Sequence, residues 1–575
     1  MQPSAAYTGA GDLPVVIVGD HFEPTATEEI GCGGAVRVDA TFRAFLGTTE
    51  LKDVRWQGTD RLTAVVPSGL SGGPFDLRVI GPTGEGVAAA AFRGSTTPAI
   101  NAINGGLTGS GTAGSLFVVD GSNFGQISAP TPGYSLDFRD ATSNAIVATA
   151  NVNIASGGWA NILVLGTVPA TLTASTTYKV TVTTPGGTSN GVSFLIVSSP
   201  SFSPSTILWT ATSSLPAAEQ GFPAAVASIG TGATAASYIY AVGGNTAATS
   251  TANAQAANSA AVYFNKLDDA SANAGQLVNA TWTTATALPA PRGFAAAVVA
   301  NSFNSKVGGS GTLYLLGGLD GTGAATSTVY EASLNADGRI PSAGAAGTWT
   351  ATTAMPQAVF AHGAAIFHGS IYVAGGNDSG GNPVASVISA PINADGTLGA
   401  WTSLPDLPAK LAYHQFLTAA GNLYALGGTT SAADPVSSTQ SASSQSSIYY
   451  NSINLKDGTL ANATWTTNGS GLSKSREKFT AVPTGGSILV SGGLYNGAAT
   501  GASEQEYAGI NTDGSLGGFL GATGTHTISK TVGGYNFYNH STAYFADATG
   551  NAHVLVIGGE DVNTGAPHAQ DWYQH

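Results

Sequence analysis

Three histidines stand in similar local settings along the chain. His362, His414 and His540 each follow an aromatic residue (Phe360, Tyr413 or Tyr538) by one or two positions. Three imidazoles that converge can hold a transition metal at about 2.1 Å. Convergence is the demanding part, because equivalent places in separate repeats lie too far apart for such bonds. Packing is therefore the stronger expectation. Acid–base chemistry needs a carboxylate held within hydrogen-bond reach of the proton it moves. Glu219, Glu477 and Glu560 are scattered among turns, with no spacing that selects a pair. A lone Glu on a turn is usually solvated surface. Calcium needs clustered oxygen ligands. The acidic glycine loops GLDGTG (318–323), GGNDSGG (375–381) and GEDVNTG (559–565) do not reach EF-hand spacing and read as ordinary turns. No cofactor or metal is expected.

Composition narrows the function classes. The chain has 575 residues, too many for one domain. It is 43% hydrophobic, so it can bury one or more sizeable cores. Only 9% is charged, and the formal net charge is -14 with 19 Lys plus Arg. Phosphate binding needs clustered cations, so nucleic acid is not an expected partner. Anionic membrane surfaces are disfavoured for the same reason. No apolar run approaches the ~18 residues that a spanning helix requires. Cys32 is the sole cysteine, so no internal disulfide forms, and the count leaves the compartment open. The opening MQPSAAYTGAGDLP has no basic region and no apolar core, unlike a signal peptide. A removed leader or release by another route, such as lysis, would account for an exported protein.

The elements that must position any site repeat along the chain. Six stretches run apolar into a glycine pair: YIYAVGG (Gly243-Gly244), LYLLGG (Gly317-Gly318), IYVAGG (Gly375-Gly376), LYALGG (Gly427-Gly428), ILVSGG (Gly492-Gly493) and VLVIGG (Gly558-Gly559). Each run is too short for a helix and reads as a buried strand. The glycines leave room for a sharp turn or a close neighbour. Out of phase with them stand Trp209, Trp282, Trp349, Trp401 and Trp465, with Phe519 in the sixth place. NADG (335–338 and 393–396), NLKDG (454–458) and NTDG (511–514) supply hairpin turns between the two markers. Each unit thus reads as four strands: an inner strand such as RGFAAAVV, the Gly-Gly strand, an aromatic-bearing strand such as STVYEASLN, and the Trp strand. The first Trp precedes the first glycine pair, and the chain ends in HAQDWYQH without a Trp strand. The simplest closure is a ring of six blades, the last completed by the strand around Trp209. Such closure removes exposed sheet edges.

These markers resemble the kelch family of six-bladed β-propellers over 205–575. The resemblance implies that Arg292 in LPAPRGF and Arg476 in LSKSREKF reach the rim of the central channel, where they can contact a ligand. Gln357, Lys410 and Val532 stand nearby in other repeats, so the cationic ring is incomplete. It also implies that the histidines after this position serve blade packing. His362, His414 and His540 are carried with Arg292 and Arg476 as candidate rim contacts, because propeller mouths form pockets. Galactose oxidase shares a kelch propeller and immunoglobulin-like domains, but its chemistry needs a cysteine-linked tyrosine. This propeller segment contains no cysteine. Sialic-acid epimerases share the NADG style of repeat and need an acid–base pair that no spacing here selects.

Ahead of the propeller, a unit occurs twice. VVIVGDHF (15–22) parallels LFVVDGSNF (116–124), LTAVVPSG (62–69) parallels LVLGTVPA (163–170), and FDLRVIGPTGEG (75–86) parallels YKVTVTTPGGTS (178–189). These marks resemble IPT/TIG domains, which implies immunoglobulin-like β-sandwiches over 1–96 and 97–198. The opening strand of the first copy is not evident before Leu13. Short proline-bearing junctions predict a semi-rigid rod with a propeller head. The expected fold is all-β. The expected protein is non-enzymatic and exposed on a cell or virion surface. It would bind a glycan or protein surface, or join an appendage or particle through its N-terminal domains. The competing class is a carbohydrate-active enzyme at the channel mouth.

Overall fold

A computed structural model describes residues 5–6 and 12–574, apart from short stretches of which the longest are 29–35, 197–208, 230–235, 269–274, 302–310, 496–504 and 521–536. The chain is all-β. Among the described residues there is no α-helix, and none long and apolar enough to cross a membrane.

Two β-sandwiches come first. In the first, the sheet of Leu13–Val18, Arg61–Val66 and Lys52–Gly58 faces a second sheet built on Arg43–Leu46, Gly72–Gly81 and Gly84–Gly94. Strand Arg61–Val66 alternates strictly. Leu62, Ala64 and Val66 enter the core with Val15, Ile17 and Phe92, and the residues between them face outward. In the second sandwich, Ala99–Ile103, Leu116–Ser122, Leu163–Thr167 and Asn151–Val152 form one sheet. Thr176–Thr184 lies between Val192–Ile196 and Ser135–Asp140 in the other. Phe117, Phe138 and Phe194 meet between the sheets with ring centroids 5.0 to 5.4 Å apart. Before Leu13, the only described strand of the first copy is Ala5–Ala6, which pairs parallel with Arg93–Gly94.

The remainder is a β-propeller of consecutive antiparallel sheets. Their inner strands are Ala224–Ile229, Ala296–Ala300, Gly363–Phe367, Gln415–Ala419, Thr480–Thr484 and Ser541–Ala546. The strand before each glycine pair comes next in its sheet. Thr312–Leu316 and Asn422–Leu426 are buried at every position, which explains their unbroken apolar runs. Among the described residues, the fifth sheet has three strands, and Leu520 bridges to Tyr507 in the place of a fourth. The last sheet is completed by the start of the propeller. Trp209, Thr210 and Ala211 pair with Gln574, Tyr573 and Trp572.

Backbone hydrogen bonds run from each sheet to the next and return to the first. The second glycine of each pair donates to the following sheet: Gly244 to Arg292, Gly318 to Val359, Gly376 to Leu411, Gly428 to Arg476, Gly493 to Phe537 and Gly559 to Glu219. A smaller ring encircles the channel. Gly221 donates to Asn539, Phe294 to Gly221, Ala361 to Phe294, Tyr413 to Ala361, Lys478 to Tyr413 and Asn539 to Lys478. All six residues have positive φ, between 52° and 59°. For the five that are not glycine this is a strained setting, about 1 kcal/mol or more each, which the surrounding ring holds in place.

Side chains tie neighbouring sheets at their outer parts. The hydroxyls of Tyr240, Tyr372 and Tyr424 donate to the carbonyls of Gly338, Gly458 and Gly514 in the next sheet's Asp-Gly turn, at 2.6, 2.6 and 2.7 Å. Each such bond contributes about 1 kcal/mol. The indoles of Trp282, Trp349, Trp401 and Trp465 donate to Ser213, Thr286, Thr353 and Pro405 of the sheet before. The Tyr and Trp markers of the sequence are thus the two directions of one inter-sheet lacing.

The sandwiches do not extend away as a rod. Leu163 and Leu165 share a core with Phe367, Phe416 and Leu423 of the propeller, and Leu116 and Val118 pack against it. Both faces of this sandwich sheet are apolar, so its outer face seeks cover as its inner face does. Arg61 of the first sandwich forms an ion pair with Asp395, whose side chain is 1% exposed.

Candidate functional site

The channel has two ends. At the loop end stand the six left-handed ring residues and the glycine pairs. At the hairpin end, the inner strands turn back through Gly369 and Gly421, and the second sandwich lies against them.

His362, His414 and His540 directly follow ring residues, one per sheet, at the same position as Phe222, Ala295 and Phe479. They are 6%, 3% and 4% exposed. A Cβ on Gly376 would lie 2.6 Å from His362 Cβ, and one on Gly317, in the preceding sheet, 2.9 Å from His362 Cε1. His414 relates in the same way to Gly428 and Gly375. In the other sheets, Phe222 presses on Gly244 and Gly558, and Phe479 on Gly493 and Gly427. The glycine pairs therefore exist to seat one ring between two sheets, with Ala295 as the exception.

Burial drives the imidazoles to neutrality. It lowers His362 to about 4 and His414 and His540 to about 3. His362 and His414 have no hydrogen-bond partner on either ring nitrogen, while His540 Nε2 lies 2.9 Å from Thr480 Oγ1. Among the described residues, no group of three or more His, Cys, Asp or Glu is placed to hold a metal.

The arginines also lie inside sheet packing. Arg292 is 4% exposed, donates to Pro291 O at 2.8 Å and to Tyr330 Oη at 3.3 Å, and stands over the Tyr330 ring. Arg476 is fully buried, pairs with Glu506 at 2.9 Å and donates to Gly492 O at 2.9 Å. Their positional equivalents are Glu219, Val359, Leu411 and Phe537, identified by the carbonyl each offers to a glycine amide. Gln357 and Lys410 are not the equivalents, and Val532 lies outside the described residues. All five candidate rim residues thus support the sheets, with no open cationic rim among them.

The loop end is covered from within the chain. Lys478 Nζ donates to the carbonyls of Asp434 and Ser437 at 2.6 and 2.8 Å. Asn539 Nδ2 donates to Pro435 O at 2.8 Å, and Tyr413 Oη to Ala433 O at 3.2 Å. Gln255, from the first sheet, reaches Asp434 Oδ1 at 3.4 Å. Segment 433–437 therefore crosses the mouth and bonds to three ring members. Burial lowers Lys478 to about 8, against the pull of Glu477, Asp434 and Glu560.

Two carboxyls move the other way. Glu219 is pushed up to about 7 by burial, partly opposed by a bond from Ser259. Asp120, on the second sandwich, is pushed up to about 7 by burial alone. No sequence signal marked Asp120 or Lys478: each is a single charge in an ordinary-looking strand or turn. What could have pointed to the docked face is the apolar run Leu163-Val164-Leu165, apolar on both sides of its strand.

No family model matches the chain. It is similar to β-scruin of Limulus polyphemus, with 32% identity over 126 residues, which are 21% of this chain and 12% of that protein. Among solved structures, one titled "Structure of YjhT" is similar at 13% identity with a TM-score of 0.40, over 63% of this chain and 95% of that one. The β-scruin likeness supports a kelch-type repeat. The β-propeller itself rests on the sheet order and the returning hydrogen bonds described above.

Proposed function

We propose that the chain is a non-enzymatic binding and assembly protein of a cell or virion surface. In this reading, residues 205–575 form a six-bladed kelch-type propeller, and 1–96 and 97–198 form two immunoglobulin-like IPT/TIG sandwiches. The observation that carries it is segment 433–437, hydrogen-bonded across the loop end of the channel. A substrate entering there would have to displace these bonds, and the Arg and His side chains nearby are already engaged in packing. Binding to a glycan or protein partner then falls to the outer surface of the propeller and the free faces of the sandwiches. The low charged fraction of 9% suits such a surface role outside nucleic-acid or anionic-membrane contexts.

The test uses the full chain on a glycan array and in a sugar-turnover assay, with electron microscopy of native material. Saturable attachment without turnover, or incorporation into a fibre or particle, supports the reading. Conversion of a free sugar by the purified chain would move it to the carbohydrate-active enzymes.

A further inference from the structure

Between the ring of left-handed residues and the second sandwich lies a chamber of about 650 Å³. Strand Leu116–Ser122 runs along one side of it. Phe117 and Val119 of that strand point into the sandwich core, while Leu116 and Val118 face the propeller. Asp120 continues the second set by the two-residue period of a strand and lines the chamber.

We infer that this chamber is a binding site for a small organic cation, an alkylammonium or quaternary ammonium group, with the Asp120 carboxylate as its counter-ion. This goes beyond the surface role above and does not depend on it.

Charge selects the ligand class. Among the described residues, the Asp120 carboxyl has no side-chain hydrogen bond or ion pair, and burial alone shifts it. Of the other ionisable groups that line the chamber, Lys478 is the one basic side chain that keeps a charge at pH 7. His362, His414 and His540 are held uncharged, and Tyr413, with its pKa raised well above 10.0, stays neutral. Lys478 keeps its positive charge at pH 7, but its Nζ is held by the carbonyls of Asp434 and Ser437 at the loop end, across the chamber from the second sandwich. Asp120 is the one carboxylate among the residues that line the chamber, so once ionised it makes the sandwich side, away from Lys478, favourable to a cation.

The walls suit the rest of such a molecule. Phe294, Phe367, Phe416 and Phe545 line the chamber together with alanines of the inner strands. Aromatic faces attract ammonium groups, and apolar walls accept short alkyl chains. The volume lies within the range of small-molecule sites, roughly 300–1,000 Å³. Because Asp120 is pushed up to about 7, proton and cation compete for it close to neutral pH.

The test titrates tetramethylammonium and n-butylammonium chloride into the full chain by calorimetry at constant ionic strength. Saturable binding of at least one of them is expected at pH 8, about tenfold weaker at pH 6, because the ionised fraction of a group titrating near 7 changes by that factor. Asp120→Asn, which keeps shape and removes charge, is expected to weaken binding at least tenfold. Should that variant fail to fold, proton release on binding at pH 7, measured in buffers of different ionisation enthalpy, decides with the unaltered protein. No saturable heat with either ion at pH 8, equal affinity in the folded variant, or binding without proton release overturns the proposal.

Discussion

The backbone amide of Gly559 donates a hydrogen bond of 2.9 Å to the carbonyl of Glu219, 340 positions earlier in the chain (559 minus 219). It is the bond that returns the propeller's last sheet to its first. The five other glycine-to-carbonyl bonds join sheets that are consecutive in sequence, so this one belongs to the closure, with the Trp209–Ala211 pairing, the Gly221–Asn539 and Leu215–Ala569 bonds, and the side-chain bonds of Asn539 to Gln220 and Ser541 to Phe222.

Gly559→Ala tests that seam. Gly559 has φ near +97°, and a Cβ there would lie 2.6 Å from His540 Cβ and 2.9 Å from its Cα. The backbone setting and the collision act together, so the variant should lose about 3 kcal/mol or more. Gly344→Ala provides the comparison. Its φ is +82°, but a Cβ there meets nothing within 4 Å, so about 1 kcal/mol is expected. Chemical denaturation of both variants checks the difference. Equal losses would mean that φ alone, and not the seated ring, accounts for the glycine pairs.

The histidines should shape stability in acid. Their folded values, about 4, 3 and 3, lie below the ordinary 6.5, so the fold favours the neutral form. Their contribution is complete above pH 6.5 and is lost as pH falls through 6.5 toward 4, where the unfolded chain takes up protons that the fold refuses. At pH 5 the loss is about 2 kcal/mol per buried histidine. Phe222 and Phe479 already fill the same position in two other sheets. The double variant His362→Phe, His414→Phe should therefore fold at pH 7.5 with little change and be the more stable protein at pH 5. Neither ring has a hydrogen bond to lose, whereas His540 would give up its contact with Thr480. Thermal unfolding at the two pH values gives the answer. A variant that tracks the wild type down to pH 5 would show that these imidazoles are protonated in the fold.

Much of the propeller could be read before any coordinates, because its signals are local and repeated. A buried strand must be apolar throughout, a left-handed turn calls for Gly, and a Trp and a Tyr that lace neighbouring sheets recur in each of the first four sheets. The site was harder to read for the same reason. Arg292 and Arg476 look like rim cations in a string of letters, yet Tyr330 and Glu506, which occupy them, lie far along the chain. The rod expected for the N-terminal units fails on a comparison available in the sequence. Aligned on their Val-Pro steps, Val66-Pro67 and Val168-Pro169, the two copies place Arg61 and Thr63 opposite Leu163 and Leu165. At these two outward positions the first copy is polar and the second apolar, so it is the second that calls for cover there.

That contrast supports a prediction about docking. Leu165 is 2% exposed because the propeller covers it, while the core of its own sandwich is filled from the other face by Val164. Leu165→Asp places a carboxylate between the sandwich and Phe416 of the propeller. Burying an unpaired charge costs several kcal/mol, more than one docked face is expected to withstand, whereas an undocked sandwich holds the same Asp in water at little cost. The variant should therefore undock rather than unfold. Its radius of gyration by small-angle scattering should rise, with strand content by circular dichroism unchanged. Thr63→Asp in the first copy, at the matching outward position, should leave the scattering profile as it is. If Leu165→Asp lost strand content at an unchanged radius, the residue would belong to the sandwich's own fold and not to the contact, and the propeller face would lose its cover as an explanation for that apolar run.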